Sequence, residues 1–180
     1  MHGKAGNKRR GIWLLAALLA AGCGRGENTD TVGAGDGASQ VTRNFTTTAS
    51  DSGQVRYVFH ARIARAYDDD ETRAEQVRVE FYDAGRVVSV LTAREGFLEG
   101  GRMTAKGDVV VETTDGARLE TQSLYWDREN QKIRSEELVR ITRRDDPEVL
   151  TGRGLTTDPN LDLVDIQNPS LTGPVGAEPR

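Results

Sequence analysis

Residues Lys106 to Asp127 read KGDVVVETTDGARLETQSLYWD. The alternation predicts a strand over Asp108–Thr113, a turn at Asp115-Gly116, a second strand over Ala117–Thr121 and a third over Leu124–Asp127. Asp-Gly between β-rich runs is a strong hairpin signal, because both residue types tolerate positive φ. A two-residue period puts Val109, Val111 and Thr113 on one face and Val110 and Glu112 on the other. The stretch holds no catalytic device. It reads as a unit built to be repeated.

The same period runs through most of the chain on either side. Val55, Tyr57, Phe59, Ala61 and Ile63 alternate with Arg56, Val58, His60 and Arg62. Val77, Val79 and Phe81 alternate with Arg78 and Glu80. After Asp83-Ala84-Gly85, a run over Arg86–Ala93 sets Val88 and Val90 on one face. Further short strands are expected at Arg102–Ala105, Lys132–Arg134, Leu138–Arg143, Val149–Thr156 and Leu161–Ile166. Short strands punctuated by Gly, Asp, Asn and Pro indicate an all-β fold: a sandwich, a barrel or a solenoid. Ala61–Glu75 has some helical spacing through Ile63, Ala66 and Tyr67. A strand running into an acidic loop at Asp68–Glu71 is the preferred reading.

The pattern also recurs at long range. Thr92, Thr121 and Thr151 stand 29 and 30 residues apart, each just after Leu91, Leu119 or Leu150. Val109 and Val139, 30 residues apart, both open alternating Val/Ile runs. Such a period implies units that stack, share a continuous core and leave open ends.

The N-terminus is of another kind. Lys4, Lys8, Arg9 and Arg10 precede an apolar run over Ile12–Ala21, too short to span a bilayer as a helix. Residues 1–22 therefore read as a signal peptide, with an uncut membrane anchor as the alternative. Leu19-Ala20-Ala21-Gly22-Cys23 resembles the lipobox of bacterial lipoproteins, with Ala20 where that pattern usually has Leu. The chain's single cysteine, Cys23, is then its lipidation site and its membrane attachment. Residues 23–53 are rich in Gly, Thr, Ser, Asp and Asn and read as the lipidated Cys and a flexible linker. Residues 54–173 form one domain, and 174–180 a tail. Losing four positive charges with the signal takes the net charge from −4 to −8. An acidic domain of this kind argues against nucleic acid and against a polybasic grip on anionic headgroups.

Few residues suggest chemistry. His60 is the only histidine beyond the signal and sits in a strand between Arg56 and Arg62, as an exposed strand residue would. With one cysteine and one histidine, zinc sites and Cys/His or Ser–His–Asp catalysis lack their ingredients. Asp68-Asp69-Asp70-Glu71 lacks the alternate spacing of a calcium loop. No pair of carboxylates stands out for glycoside hydrolysis. The expectation is a protein that is not an enzyme and takes no metal or cofactor. The apolar ladder is left. In an open-ended β structure it can splay into a groove that accepts long apolar chains.

The ordered series Phe81-Tyr82-Asp83-Ala84-Gly85, Leu91-Thr92-Ala93, Gly107-Asp108-Val109-Val110-Val111, Thr114-Asp115-Gly116, Leu119-Glu120-Thr121, Leu124-Tyr125-Trp126-Asp127, Ile133-Arg134-Ser135, Val139 and Gly152-Arg153-Gly154-Leu155 resembles the LptC family. The resemblance covers residues 54–173 and extends to the related LptA and OstA-type domains. It implies a twisted, open β-jelly roll that carries lipopolysaccharide by its acyl chains. It also implies two partners: an inner-membrane ABC transporter of the LptB2FG type, and an LptA-like bridge protein reached by end-to-end strand pairing. Many family members keep an uncut transmembrane helix, whereas this chain looks like a lipoprotein on the periplasmic face of a membrane. The inner membrane is favoured, with the outer membrane as the alternative.

On this reading the groove residues are Val79, Phe81, Val90, Val109, Val111, Leu124, Trp126, Val139 and Ile141. An arginine at Val111 or Val139 is expected to block the lipid and leave the domain folded. The alternative function is an envelope adaptor lipoprotein whose jelly roll pairs with other β-domains and carries no lipid.

Overall fold

In a computed structural model of the chain, residues 31–32, 37–68, 70–99, 102–127 and 130–173 are described. They form β1 (Thr31–Val32), β2 (Gln40–Asp51), β3 (Gln54–Ala66), β4 (Thr72–Asp83), β5 (Arg86–Glu99) and β6 (Arg102–Thr113). β7 (Ala117–Asp127), β8 (Lys132–Arg143), β9 (Asp146–Thr157), β10 (Val164–Ile166) and β11 (Ser170–Thr172) follow, with no helix among the described residues. The strands lie side by side in chain order from β1 to β10, all antiparallel, and β11 continues along the outer edge of β9. β1 and β10 do not pair, so the sheet stays open. The fold is an open, all-β jelly roll.

The long strands are unusual in one respect: each is interrupted near its middle. The ladder skips Asn44 and Arg62 between β2 and β3, Arg62 and Gln76 between β3 and β4, and Gln76 and Arg94 between β4 and β5. It slips at Gly107-Asp108 opposite Gln122, and again at Glu136-Glu137 opposite Gly154. These sites are neighbours across the sheet and make one continuous crease. Positive φ at Asn44 (50°), Gln76 (52°), Asp108 (47°), Gly107 (76°) and Gly154 (76°) supplies the bend, as β-bulges do elsewhere. Asn44, Arg62, Gln76, Arg94, Asp108, Gln122, Glu137 and Arg153 are all exposed on the convex side. Ala61, Val77, Ala93, Val109, Thr121, Val139 and Gly152 are all buried just beside it.

Folding along the crease brings two half-sheets face to face. In the first, one cross-strand row runs Thr47, Phe59, Val79, Leu91, Val111, Leu119, Ile141, Leu150 and Leu171. The three leucines of the sequence repeat therefore share one row. The period of about thirty residues is one hairpin of a single sheet rather than one tier of a stacked solenoid. In the second half-sheet the facing row is Ala64, Ala74, Gly96, Ala105 and Leu124, and the next is Ala66, Thr72, Leu98, Met103, Trp126, Ile133 and Thr157. Contact between the layers is direct: the rings of Phe81 on β4 and Trp126 on β7 are 5.5 Å apart. Val109, Val111, Leu119, Val139 and Leu161 are all 0 % exposed. Each contributes roughly 1.5–3 kcal/mol by burial.

Several expectations need correction. The linker expected over residues 23–53 ends earlier, because Gln40–Asp51 is a full strand paired to β3. Its Thr/Ser-rich composition looked unstructured, but a half-exposed edge strand needs few large apolar residues. The breaks expected between Ala105 and Asp108, Thr121 and Leu124, and Arg134 and Leu138 lie inside β6, β7 and β8. They are the crease. The hairpin at Asp115-Gly116 has a three-residue loop, Thr114–Gly116, in which Gly116 alone has positive φ (98°). Thr113 Oγ1 donates to Asp115, and the Ala117 amide donates to Thr113 Oγ1 at 2.9 Å. The preferred reading of Ala61–Glu75, a strand running into an acidic loop, needs no correction: β3 ends at Ala66, and the turn closes with the Tyr67 amide donating to the Glu71 carbonyl at 2.9 Å. The signal segment, Cys23 and the tail from residue 174 lie outside the described residues.

The outer face is laced with ion pairs, Arg78–Glu80 and Glu112–Arg118–Glu120–Arg140 among them. Hydrogen bonds from Arg118 to Glu120 and from Arg78 to Glu80 hold both carboxyls below the usual glutamate value. A carboxylate whose folded pKa is depressed stabilises the fold above its unfolded pKa and loses that contribution as pH falls through the folded value. The thermal midpoint is therefore expected to fall progressively below about pH 4.5, the ordinary glutamate range. Glu120→Gln should flatten that slope, which melting curves across the acid range would show. A methyl group at Gly152 would meet Ile166 Cγ2 at 2.3 Å and the Asn168 carbonyl at 2.6 Å. Gly152→Ala is expected to cost about 1–3 kcal/mol in urea unfolding and to speed amide exchange over β10 and β11.

Candidate functional site

The two layers are not packed alike along their length. From β7 to β9 the interior is filled by Leu119, Val139, Ile141 and Leu155, each no more than 3 % exposed. Towards β2 one row of the second layer, Ala64, Ala74, Gly96 and Ala105, is made of small residues, opposite Phe45, Phe59, Val77 and Val79. Small side chains facing large ones leave a gap, and here it is a cavity of about 380 Å³. Gly96 sets its depth: a Cβ there would lie 2.9 Å from Val77 Cγ2.

The walls are apolar. Phe45 and Phe59 stack edge-on at 6.2 Å between centroids, and Tyr57, Phe81 and Trp126 form a chain of tilted rings at 6.4 and 5.5 Å. Tyr57 directs its hydroxyl across the gap to Met103 Sδ at 3.9 Å. No lining side chain carries a charge. Nothing in the cavity can act as a general base, grip a phosphate or hold a metal, and the described residues contain no metal-binding cluster elsewhere. The lining suits hydrocarbon, which gains by leaving water for such a space.

Of the residues named for a groove, Val79, Phe81, Leu124 and Trp126 line this cavity. Val109, Val111, Val139 and Ile141 face inward as well, but in the filled part, at 0, 0, 0 and 3 % exposure. An arginine at Val111 or Val139 would bury an unpaired charge in solid packing and unfold the domain, contrary to the sequence-based expectation. Val90 is on the outer face, between Glu80 and Glu112. The pairing shifts between Phe81 and Tyr82, leaving Val88 as the extra residue of a bulge. That bulge reverses the alternation, so Ser89, Leu91 and Ala93 point inward. Phe45, Met103 and the row of small residues were not foreseen. The available signal was Ala64, Ala74, Gly96 and Ala105, small residues at inward positions of successive strands.

His60 is an outer strand residue, and its Nδ1 lies 3.0 Å from Thr46 Oγ1. Within the acidic loop, Glu71 is engaged by Arg73, whose hydrogen bond holds that carboxyl below its ordinary value.

No curated protein matches the chain. A family model described as lipopolysaccharide-assembly, LptC-related, matches residues 12–169. That span includes every described strand from β1 to β10 and all the walls of the cavity. This chain, an open β-jelly roll with an uncharged cavity between its layers, belongs to the LptC-related family of lipopolysaccharide assembly.

Proposed function

We propose that this protein binds lipopolysaccharide by its acyl chains and passes it across the periplasm as one element of an export bridge. The observation that carries the reading is the cavity: an uncharged space of about 380 Å³ lined by aromatic, aliphatic and small side chains. Hydrocarbon entering it gains about 25 cal/mol for each Å² of apolar surface removed from water. An adaptor that only paired with other domains would gain by filling this space, since an empty cavity costs stability.

The transporter that supplies the lipid and the bridge protein that receives it are the partners the family suggests. The edges support such a chain of domains. β10 and β11 cover β9 at one end of the sheet, whereas β1 covers only Val41 and Thr42 of β2. From Asn44 to Asp51, β2 has no partner on its outer side among the described residues. An open edge of this kind accepts a strand from another β-domain. Attachment through a lipidated Cys23 to the periplasmic face of the inner membrane completes the proposal. No catalytic step is required of the protein.

A photocrosslinker at Phe59 or Phe81 is expected to give lipopolysaccharide adducts in cells, and one at outward-facing Val90 none. Adducts to protein alone at all three positions would favour the adaptor. Ala105→Trp fills the cavity from the second layer and should lower the lipid adduct at Phe59 on the order of tenfold. Circular dichroism would confirm that the variant keeps its β-structure.

A further inference from the structure

The cavity does not end at apolar walls on every side. Tyr57, Phe81 and Trp126 also border a second, smaller space of about 150 Å³ between the free ends of the hairpins. One side of that slit is built by Arg56 and Asp83, the other by Gln131 and by Pro159-Asn160 of the β9–β10 loop. The loop is held in place. Asp158 Oδ1 accepts from the Asp162 amide at 2.9 Å, and Arg143, from the opposite layer, donates to the Leu161 carbonyl at 3.2 Å. Leu161 itself is fully buried in the core. Asn160 is thus fixed over the slit by its neighbours.

We infer that this slit is a headgroup subsite, and that it takes the hydroxyl face of a sugar. The inference rests on the reading of the larger cavity as a site for acyl chains, because Tyr57, Phe81 and Trp126 border both spaces and set a polar slit directly against the apolar cavity. The lining selects among headgroups. Arg56 is already paired with Asp51 at 3.3 Å, and the Tyr82 hydroxyl already donates to Glu80 at 3.1 Å. Among the described residues no side-chain hydrogen bond occupies Asp83 or Asn160. With Arg56 balanced by Asp83, the slit lacks the net positive charge that holds a phosphate. The Asp83 carboxylate, the Asn160 amide and the faces of Trp126 and Tyr57 together suit a polyol, which offers donors, acceptors and an apolar C–H face.

The test uses two detergents with the same dodecyl chain, dodecyl maltoside and dodecyl phosphocholine. Each would displace N-phenylnaphthylamine from the purified protein below its micelle threshold. Wild type is expected to bind the maltoside roughly tenfold more tightly, the worth of a net hydrogen bond or two. An Asp83→Ala/Asn160→Ala variant should lose that preference and keep its affinity for the phosphocholine. Equal affinities in wild type, or a preference unchanged in the variant, would overturn the subsite and leave the acyl cavity standing. Failure of wild type to take up the probe at all would overturn the cavity reading, and the subsite with it.

Discussion

Everything in this fold follows from the crease. A flat antiparallel sheet of twelve-residue strands has one apolar face and nothing to cover it. Interrupting every long strand, β2 to β9, at the same height lets that face fold onto itself, so the described residues need no second sheet and no helix. The bend places polar residues such as Gln76, Arg94 and Asp108 outside and residues such as Ala61, Val77 and Val109 inside. Arg94 lies over Gly107, where a Cβ would come within 2.6 Å of its Nε, and pairs with Asp108 at 3.2 Å. The glycine and the ion pair belong to one local device.

Once folded, the two layers divide the work unequally. The part built by Val109 and Val111 of β6 and by β7 to β9 is close-packed, with Leu161 closing it at the hairpin ends. Towards β2, packing gives way to small residues facing aromatic ones. A void of that size costs stability that the filled end must offset. The molecule is thus a close-packed end joined to a hollow one, and both rest on the same register, because one row runs from Phe59 in the cavity to Ile141 in the solid core.

Much of this was legible beforehand. The two-residue period identified the strands, and inward positions such as Val79, Phe81, Val109, Leu124 and Trp126 were named correctly. Val90 was not, because a single bulge at Val88 changes the parity of everything after it. The polar residues at the crease were visible too, but they read as strand ends. In a linear pattern, a bend within a strand and a loop between strands break the alternation in the same way. Edge strand β2 was missed for a related reason: much of it faces solvent, so it carries little of the apolar signal that marks a buried strand.

By itself, then, the sequence determined the all-β class, the hairpin order and the family, since these are written in local alternation, turn residues and the order of motifs. Only the tertiary structure decided that the breaks align into one crease, and that Ala64, Ala74, Gly96 and Ala105 fall into one row opposite Phe59 and Val79. The same holds for the stretch first quoted. Val109 and Val111 do face inward, but they lie in the filled end and not in the cavity. The physical reason is that a cavity belongs to two surfaces at once. The period along a strand says which way a side chain points and nothing about what stands across from it.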